Sequence, residues 1–237
     1  MNETCPTTYT WSIIDVIDEA PRVRSLILKA RDTRPDFISG QYLTVLLSGY
    51  EPAEGKSYSI SSSGDELLVR LTIKEMGAFS KALYAHNKGD TLTTSAPYGF
   101  FYPEQTSNHD LVFIAGGIGI TPNISIIKKL CSGEYPKKIT LFYSNKTIAD
   151  IIFKEELDVL QKKYPLFNVI HHITQEEDAP PPFVKGRMTG VSILKNISDI
   201  QKTELFICGS IDFTKNLWRE LREEGIPNTQ LYTEGFF

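Results

Sequence analysis

Residues 115–122 read Ala-Gly-Gly-Ile-Gly-Ile-Thr-Pro, between the apolar runs Leu111–Ile114 and Ile124–Leu130. Three glycines in four positions carry an entropy cost, so something must require a bare backbone there. A buried strand ending at Ala115 and a helix opening at Thr121-Pro122 would expose free N–H groups and the positive end of a dipole. That is an anion site suited to a dinucleotide pyrophosphate. Gly116, Gly117 and Gly119 would let the phosphates approach. Thr121 suits an N-cap and Pro122 the first helical turn. The spacing is G-x-G-x-x-P rather than the full dinucleotide fingerprint, so the turn alone also fits a plain strand-to-helix connection.

Three other short stretches carry chemistry. Lys56-Ser57-Tyr58-Ser59 offers a cation, an aromatic face and hydroxyls. Gly77-Ala78-Phe79-Ser80 reads as a turn opening a helix, and Ile207-Cys208-Gly209 ends an apolar run. His171 and His172 are adjacent on a predicted strand and face opposite sides, which argues against a shared metal. Cys5, Cys131 and Cys208 are scattered, giving no disulfide framework, no metal spacing and no iron–sulfur module.

The elements that must position these residues fall into two halves. From Tyr9 to about Phe101, short alternating runs predict strands at Ser25–Lys29, Gln41–Leu46, Ser57–Ile60, Leu67–Ile73 and Thr91–Thr94. One helix, Ala78–His86, interrupts them. This spacing predicts an antiparallel barrel or sandwich. From Asp110 onward, strands Leu111–Ala115, Ile139–Tyr143, Phe167–Ile173, Leu205–Cys208 and Gln230–Thr233 are interspersed with helices. These start near Thr121, run from Asp150 to Lys163, and run from Asp212 to Glu224. Alternation of this kind predicts a doubly wound parallel sheet. The polar linker Pro103–Asp110 separates the halves, giving domains at 1–104 and 109–237.

A 237-residue chain accommodates two domains. Its net charge of −4 argues against nucleic acid as a partner. No apolar run is long enough to span a bilayer, and the first residues show no secretory pattern. With unpaired cysteines, these features predict a cytoplasmic protein.

Taken in order across a barrel-to-α/β switch, the four motifs resemble those of the ferredoxin–NADP reductase family. That family's patterns are R-x-Y-S/T, G-x-x-S, G-G-x-G-I-T-P and C-G, with an aromatic residue near the C-terminus. Tyr98-Gly99-Phe100-Phe101 resembles the family's G-x-G-x-F link, with Ala96 in place of its first glycine. The resemblance implies a Greek-key antiparallel β-barrel for the flavin, followed by a nucleotide domain. It implies bound FAD rather than FMN, and NADPH or NADH as donor.

By position, Tyr58 would stack on the isoalloxazine and Ser59 would place its hydroxyl near N5. Ser57 lies between the other members of this motif. Gly77, Ala78, Phe79 and Ser80 would hold the flavin pyrophosphate. Lys56 departs from the family's arginine and keeps the charge without the planar two-point grip. Gly116, Gly117, Gly119, Thr121 and Pro122 would serve the nicotinamide dinucleotide, with Thr121 near the nicotinamide. Cys208 and Gly209 would approach it at the hydride step, and Phe236 would cover the flavin. Glu234 would be a charge or proton relay. Ser144-Asn145-Lys146, with no acid before Asp150, leans toward the 2′-phosphate of NADPH through Ser144 and Lys146.

The predicted activity is hydride transfer from NAD(P)H to FAD, then single electrons to a separate acceptor such as ferredoxin, flavodoxin or an oxygenase or desaturase component. A freestanding flavin reductase and a non-autonomous electron-transfer subunit are the alternatives.

Overall fold

A computed structural model describes residues 8–104 and 106–236; Cys5 and Phe237 fall outside them. Six strands form the first sheet: β1 (Thr8–Ala20), β2 (Val23–Ala30), β3 (Tyr42–Leu46), β4 (Lys56–Ser59), β5 (Val69–Lys74) and β6 (Thr91–Ser95). They pair in the order β4-β3-β6-β1-β2-β5, all antiparallel. A bridge between Ile60 and Leu71, with the Ser61 N–H donating to Arg70 O at 2.8 Å, joins the two edges. The sheet therefore closes into a barrel, which removes its exposed edges.

Inward positions are apolar: Trp11, Leu26, Leu28, Leu43, Val45, Leu71 and Ile73 form one core. The helix α1 (Ala78–Tyr84) buries Phe79 and Leu83 against it. β1 is a strand that alternation does not reveal. Its register shifts between Ile13 and Asp15 and again between Asp18 and Ala20, so its apolar positions fall out of phase.

The second sheet is parallel: β7 (Asp110–Gly116), β8 (Ile139–Asn145), β9 (Phe167–Ile173), β10 (Val184–Lys185), β11 (Thr203–Ser210) and β12 (Leu231–Phe236), in the order β10-β9-β8-β7-β11-β12. Helices α2 (Ile120–Ser132), α3 (Lys154–Lys163), α4 (Gly190–Leu194) and α5 (Ile211–Glu223) accompany it. Alternate residues of β7 enter different cores. Leu111 and Phe113 pack in one, Val112 and Ile114 in the other. Burial on both faces explains the unbroken apolar runs. His171 and His172 are both buried for the same reason. Among the described residues no three His, Cys, Asp or Glu groups gather as metal ligands.

Strand order reverses between β7 and β11, and the carboxyl ends of strands at such a reversal are where sheets of this kind take ligands. Gly116 ends β7 there, and Cys208-Gly209 lies near the end of β11.

Two local expectations need correction. α2 begins at Ile120, after a 3₁₀ turn at Gly117–Gly119, so Thr121 sits inside the first turn. Its Oγ1 donates to Ile118 O at 3.1 Å, because the tightened turn already places that carbonyl beneath it. α3 begins at Lys154, not Asp150. Residues Ile148–Asp150 form a separate 3₁₀ turn, and Phe153, at φ +59°, breaks continuity with α3. The two residues of β10 and the short α4 are too brief to show a period.

Candidate flavin and dinucleotide cleft

β4 lies at one end of the barrel's strand order, paired only with β3, with Tyr42 opposite Ser59 and Leu43 opposite Tyr58. Alternation turns Tyr58 and Ser59 to different sides. Ser59 is buried, and its Oγ has no hydrogen-bond partner. A buried hydroxyl without a partner is costly. Tyr58 is half-buried, and burial pushes its phenol up to about 12. Its ring lies 6.5 Å from that of Phe79 with an interplanar angle of 23°. Lys56 Nζ sits 5.9 Å above the same Phe79 ring. Phe79 thus draws together the Lys56–Ser59 and Gly77–Ser80 stretches. Ser57 Oγ lies 3.3 Å from Thr44 Oγ1 at the surface. The N–H of Gly77 donates to Ser80 Oγ at 3.0 Å, and no atom lies within 4 Å of where a Cβ on Gly77 would be.

Across the cleft, Gly117 has φ +52° and faces open space. Gly119 does the opposite. A Cβ there would lie 2.2 Å from Cys208 O, so α2 docks its first turn directly on the end of β11. Pro122 is buried in that turn, where its missing N–H costs nothing. Cys208 is fully buried, and burial with the neighbouring Glu234 holds its thiol well above the ordinary value. That environment disfavours a thiolate nucleophile.

Glu234 pairs with Cys208 across β11 and β12. Burial pushes its carboxyl up to about 7, and its Oε2 has no partner. It reaches toward the barrel. The Tyr42 phenol is raised by burial, by Tyr98 and by the Glu234 carboxylate. Tyr42 is also the strand partner of Ser59, so the phenol on which the Glu234 charge acts belongs to the residue opposite Ser59. Phe236 pairs with Ser210 and packs half-buried on the core that contains Cys208. Gly235 intervenes between Glu234 and Phe236 opposite Gly209.

Ser144, opposite Gly116, is the next-to-last residue of β8, and Lys146 follows directly after the strand. Asp150, the nearest acid, accepts from the Thr147 N–H at 3.0 Å and from Thr147 Oγ1 at 2.8 Å, so it is committed to its own turn. Between them Asn145 is buried, with neither side-chain polar atom partnered. Sequence reading passed over Asn145 and Tyr42. Asn145 stands inside the Ser144–Lys146 stretch with no role given to it, and its burial without partners marks it; Tyr42 is marked by its place opposite Ser59.

Between them the two lobes present two unpartnered oxygens, Ser59 Oγ and Glu234 Oε2, an aromatic platform at Tyr58 and two uncovered glycines, Gly77 and Gly117. Groups of these types can take a flavin and a dinucleotide. The oxidoreductase NAD-binding domain family matches residues 113–217. Flavohemoprotein A of Dictyostelium discoideum is 28% identical over 93% of this chain and 58% of its own length. The ferredoxin reductase component of 3-ketosteroid-9-alpha-monooxygenase from Rhodococcus rhodochrous is 28% identical over 93% and 63%. The chain thus spans less than two thirds of either relative. The structure of a ferredoxin NADP+ reductase from Neisseria gonorrhoeae with bound FAD and NADP superposes with a TM-score of 0.84, at 20% identity over 98% of this chain and all of that one. The chain is similar in fold to ferredoxin NADP+ reductases, with a match to the oxidoreductase NAD-binding domain family over its second sheet. No helix among its described residues is long and apolar enough to cross a membrane.

Proposed function

We propose that this chain is an NAD(P)H-dependent flavoprotein reductase that binds FAD and passes electrons one at a time to a separate acceptor. The observation that carries this reading is the Ser59 hydroxyl, buried without a hydrogen-bond partner on the strand that bears Tyr58. Residues 1–104 form the flavin domain and 109–237 the nucleotide domain. The FAD fit rests on three features: the orphaned Ser59 Oγ, the open face at Gly77 and the half-buried Tyr58 ring. When bound, FAD supplies the chemistry that accepts hydride and releases single electrons.

The chain's own residues orient and tune. Tyr58 packs against the ring, and Ser59 donates a hydrogen bond to it. Gly77, Ala78, Phe79 and Ser80, with Lys56 and Ser57, hold the remainder of the flavin. Gly116, Gly117, Gly119, Thr121 and Pro122 form the turn for the dinucleotide phosphates. Ser144 and Lys146 face its ribose, and the commitment of Asp150 elsewhere favours a 2′-phosphate, hence NADPH. Cys208, Gly209 and Phe236 line the nicotinamide end. Glu234, poised near neutrality, holds or releases a proton there.

The acceptor is a ferredoxin, a flavodoxin or an oxygenase component. The name of the Rhodococcus relative, a ferredoxin reductase component, supports this class. Buried unpaired Cys131 and Cys208 suit a cytoplasmic setting. The test is anaerobic stopped-flow mixing of the purified protein with NADPH and with NADH. A yellow protein that bleaches, faster with NADPH, is expected. A colourless protein that takes up no FAD overturns the reading. Flavin lost on dialysis, with turnover saturating in free flavin, replaces it with a flavin reductase.

A further inference from the structure

Tyr143 lies in β8 with its ring fully buried. Phenylalanine would fill the same space without bringing a hydroxyl out of water, so the hydroxyl needs an explanation. Its Oη donates to Gly117 O at 3.1 Å and accepts from the Ile152 N–H at 3.3 Å. These two partners are backbone groups outside the sheet ladder, and the Asn145 side chain also bears on the phenol. The bond joins the glycine turn, the middle of the sheet and the segment before α3. Burial raises the phenol's pKa, so it remains a donor across the physiological range.

Gly117 O also accepts from the Ile120 N–H that closes the 3₁₀ turn. A carbonyl oxygen has two lone pairs, and both are thus engaged from inside the fold. In a trans peptide the C=O and the following N–H point opposite ways. With Gly117 O held inward, the Ile118 N–H is turned outward, on the side where Gly117 is uncovered. Among the described residues none outside the turn comes within 4 Å of where a Gly117 Cβ would be, so no side chain braces that side of Gly117. The other end is anchored, since Phe153, next to Ile152, lies under the Arg70 guanidinium of β5 at 4.2 Å.

We propose that Tyr143 is a positioning residue for dinucleotide binding, its buried hydroxyl locking the Gly117–Ile118 peptide with its N–H aimed at the pyrophosphate. This rests on the reading that the glycine turn binds NAD(P)H.

The test compares wild-type and Tyr143→Phe flavoprotein by calorimetric titration with ADP, which carries a pyrophosphate, and with AMP, which does not. Tyr143→Phe is expected to weaken ADP binding about tenfold and leave AMP within twofold. In turnover, KM for NADPH rises about tenfold while kcat and flavin content stay within twofold. Gly117→Ala weakens ADP as well, and adding Tyr143→Phe to it costs little more, because both act on one peptide. Should Tyr143→Phe fail to fold, hydrogen exchange on the wild type decides. The Ile118 amide must gain protection with ADP and not with AMP. Equal ADP affinity in both proteins, equal losses for ADP and AMP, or an unprotected Ile118 overturns the proposal. A wild type that binds ADP yet oxidises no NAD(P)H removes only the reductase reading.

Discussion

Where the barrel is fastened to the parallel sheet, polar groups find partners. Arg70 Nη2 of β5 meets Glu156 of α3 at 2.9 Å, and Lys128 of α2 meets both Glu156 at 2.8 Å and Glu66 at 2.5 Å. Ser125 Oγ donates to Ser62 O at 2.6 Å. Burial works against the Glu156 carboxylate, but Arg70 and Lys128 outweigh it and hold its pKa below the ordinary value. Only Arg70 Nε lacks a partner, and its guanidinium lies on the Phe153 ring. In the cleft the same two lobes leave Ser59 and Glu234 oxygens unpartnered. The joint is satisfied by the chain itself, whereas the Ser59 and Glu234 oxygens are left open, as the proposed ligand site requires. Incomplete satisfaction thus separates a binding surface from a joint.

The contrast predicts different kinds of damage. The largest effect belongs to the cleft. Ser59→Ala should slow anaerobic flavin reduction about 100-fold, as loss of one oriented donor does elsewhere, with stability to urea unchanged or raised. Equal reduction rates would place Ser59 among structural residues. Arg70→Met attacks the joint. It should cost about 2 kcal/mol in urea unfolding, less than a fully buried pair because Glu156 is partly solvated and keeps Lys128. The reduction rate should change far less than in Ser59→Ala.

Glu234→Gln comes next. The folded carboxyl holds its proton to about pH 7 against an ordinary value of 4.5. The folded state therefore binds more protons between those values. Its contribution to stability is full below pH 4.5 and lost as pH rises through 7. The glutamine variant should be more stable than wild type at pH 8 by about 1–2 kcal/mol, allowing for partial solvation, and no more stable at pH 4.5. Denaturation at the two pH values checks it. Lys56→Arg should have the smallest effect, tightening FAD about threefold through a planar fork, measured by flavin release on dilution.

Much of this was legible in the residues. The glycine run, the switch from period-two strands to strand–helix alternation, and the Tyr58–Ser59 pair all reflect local requirements of backbone or burial. What escaped was long-range. Tyr143 reads as one more apolar residue of a buried strand until its hydroxyl is seen under Gly117. Arg70 reads as a solvated strand residue until α3 arrives 86 positions later. Thr121 looked like a cap because its type favours caps, but the 3₁₀ turn shifted the helix start by one residue. β1 hid because two bulges scrambled its phase.

The contact of Gly119 with the Cys208 carbonyl has one more consequence. Backbone rests on backbone there, with no rotamer between them to yield. The mouth of the crevice behaves as a fixed caliper, its gap set by atomic radii and the planes of two peptides. Any residue larger than glycine at 119 would prise α2 from β11 and open that gauge.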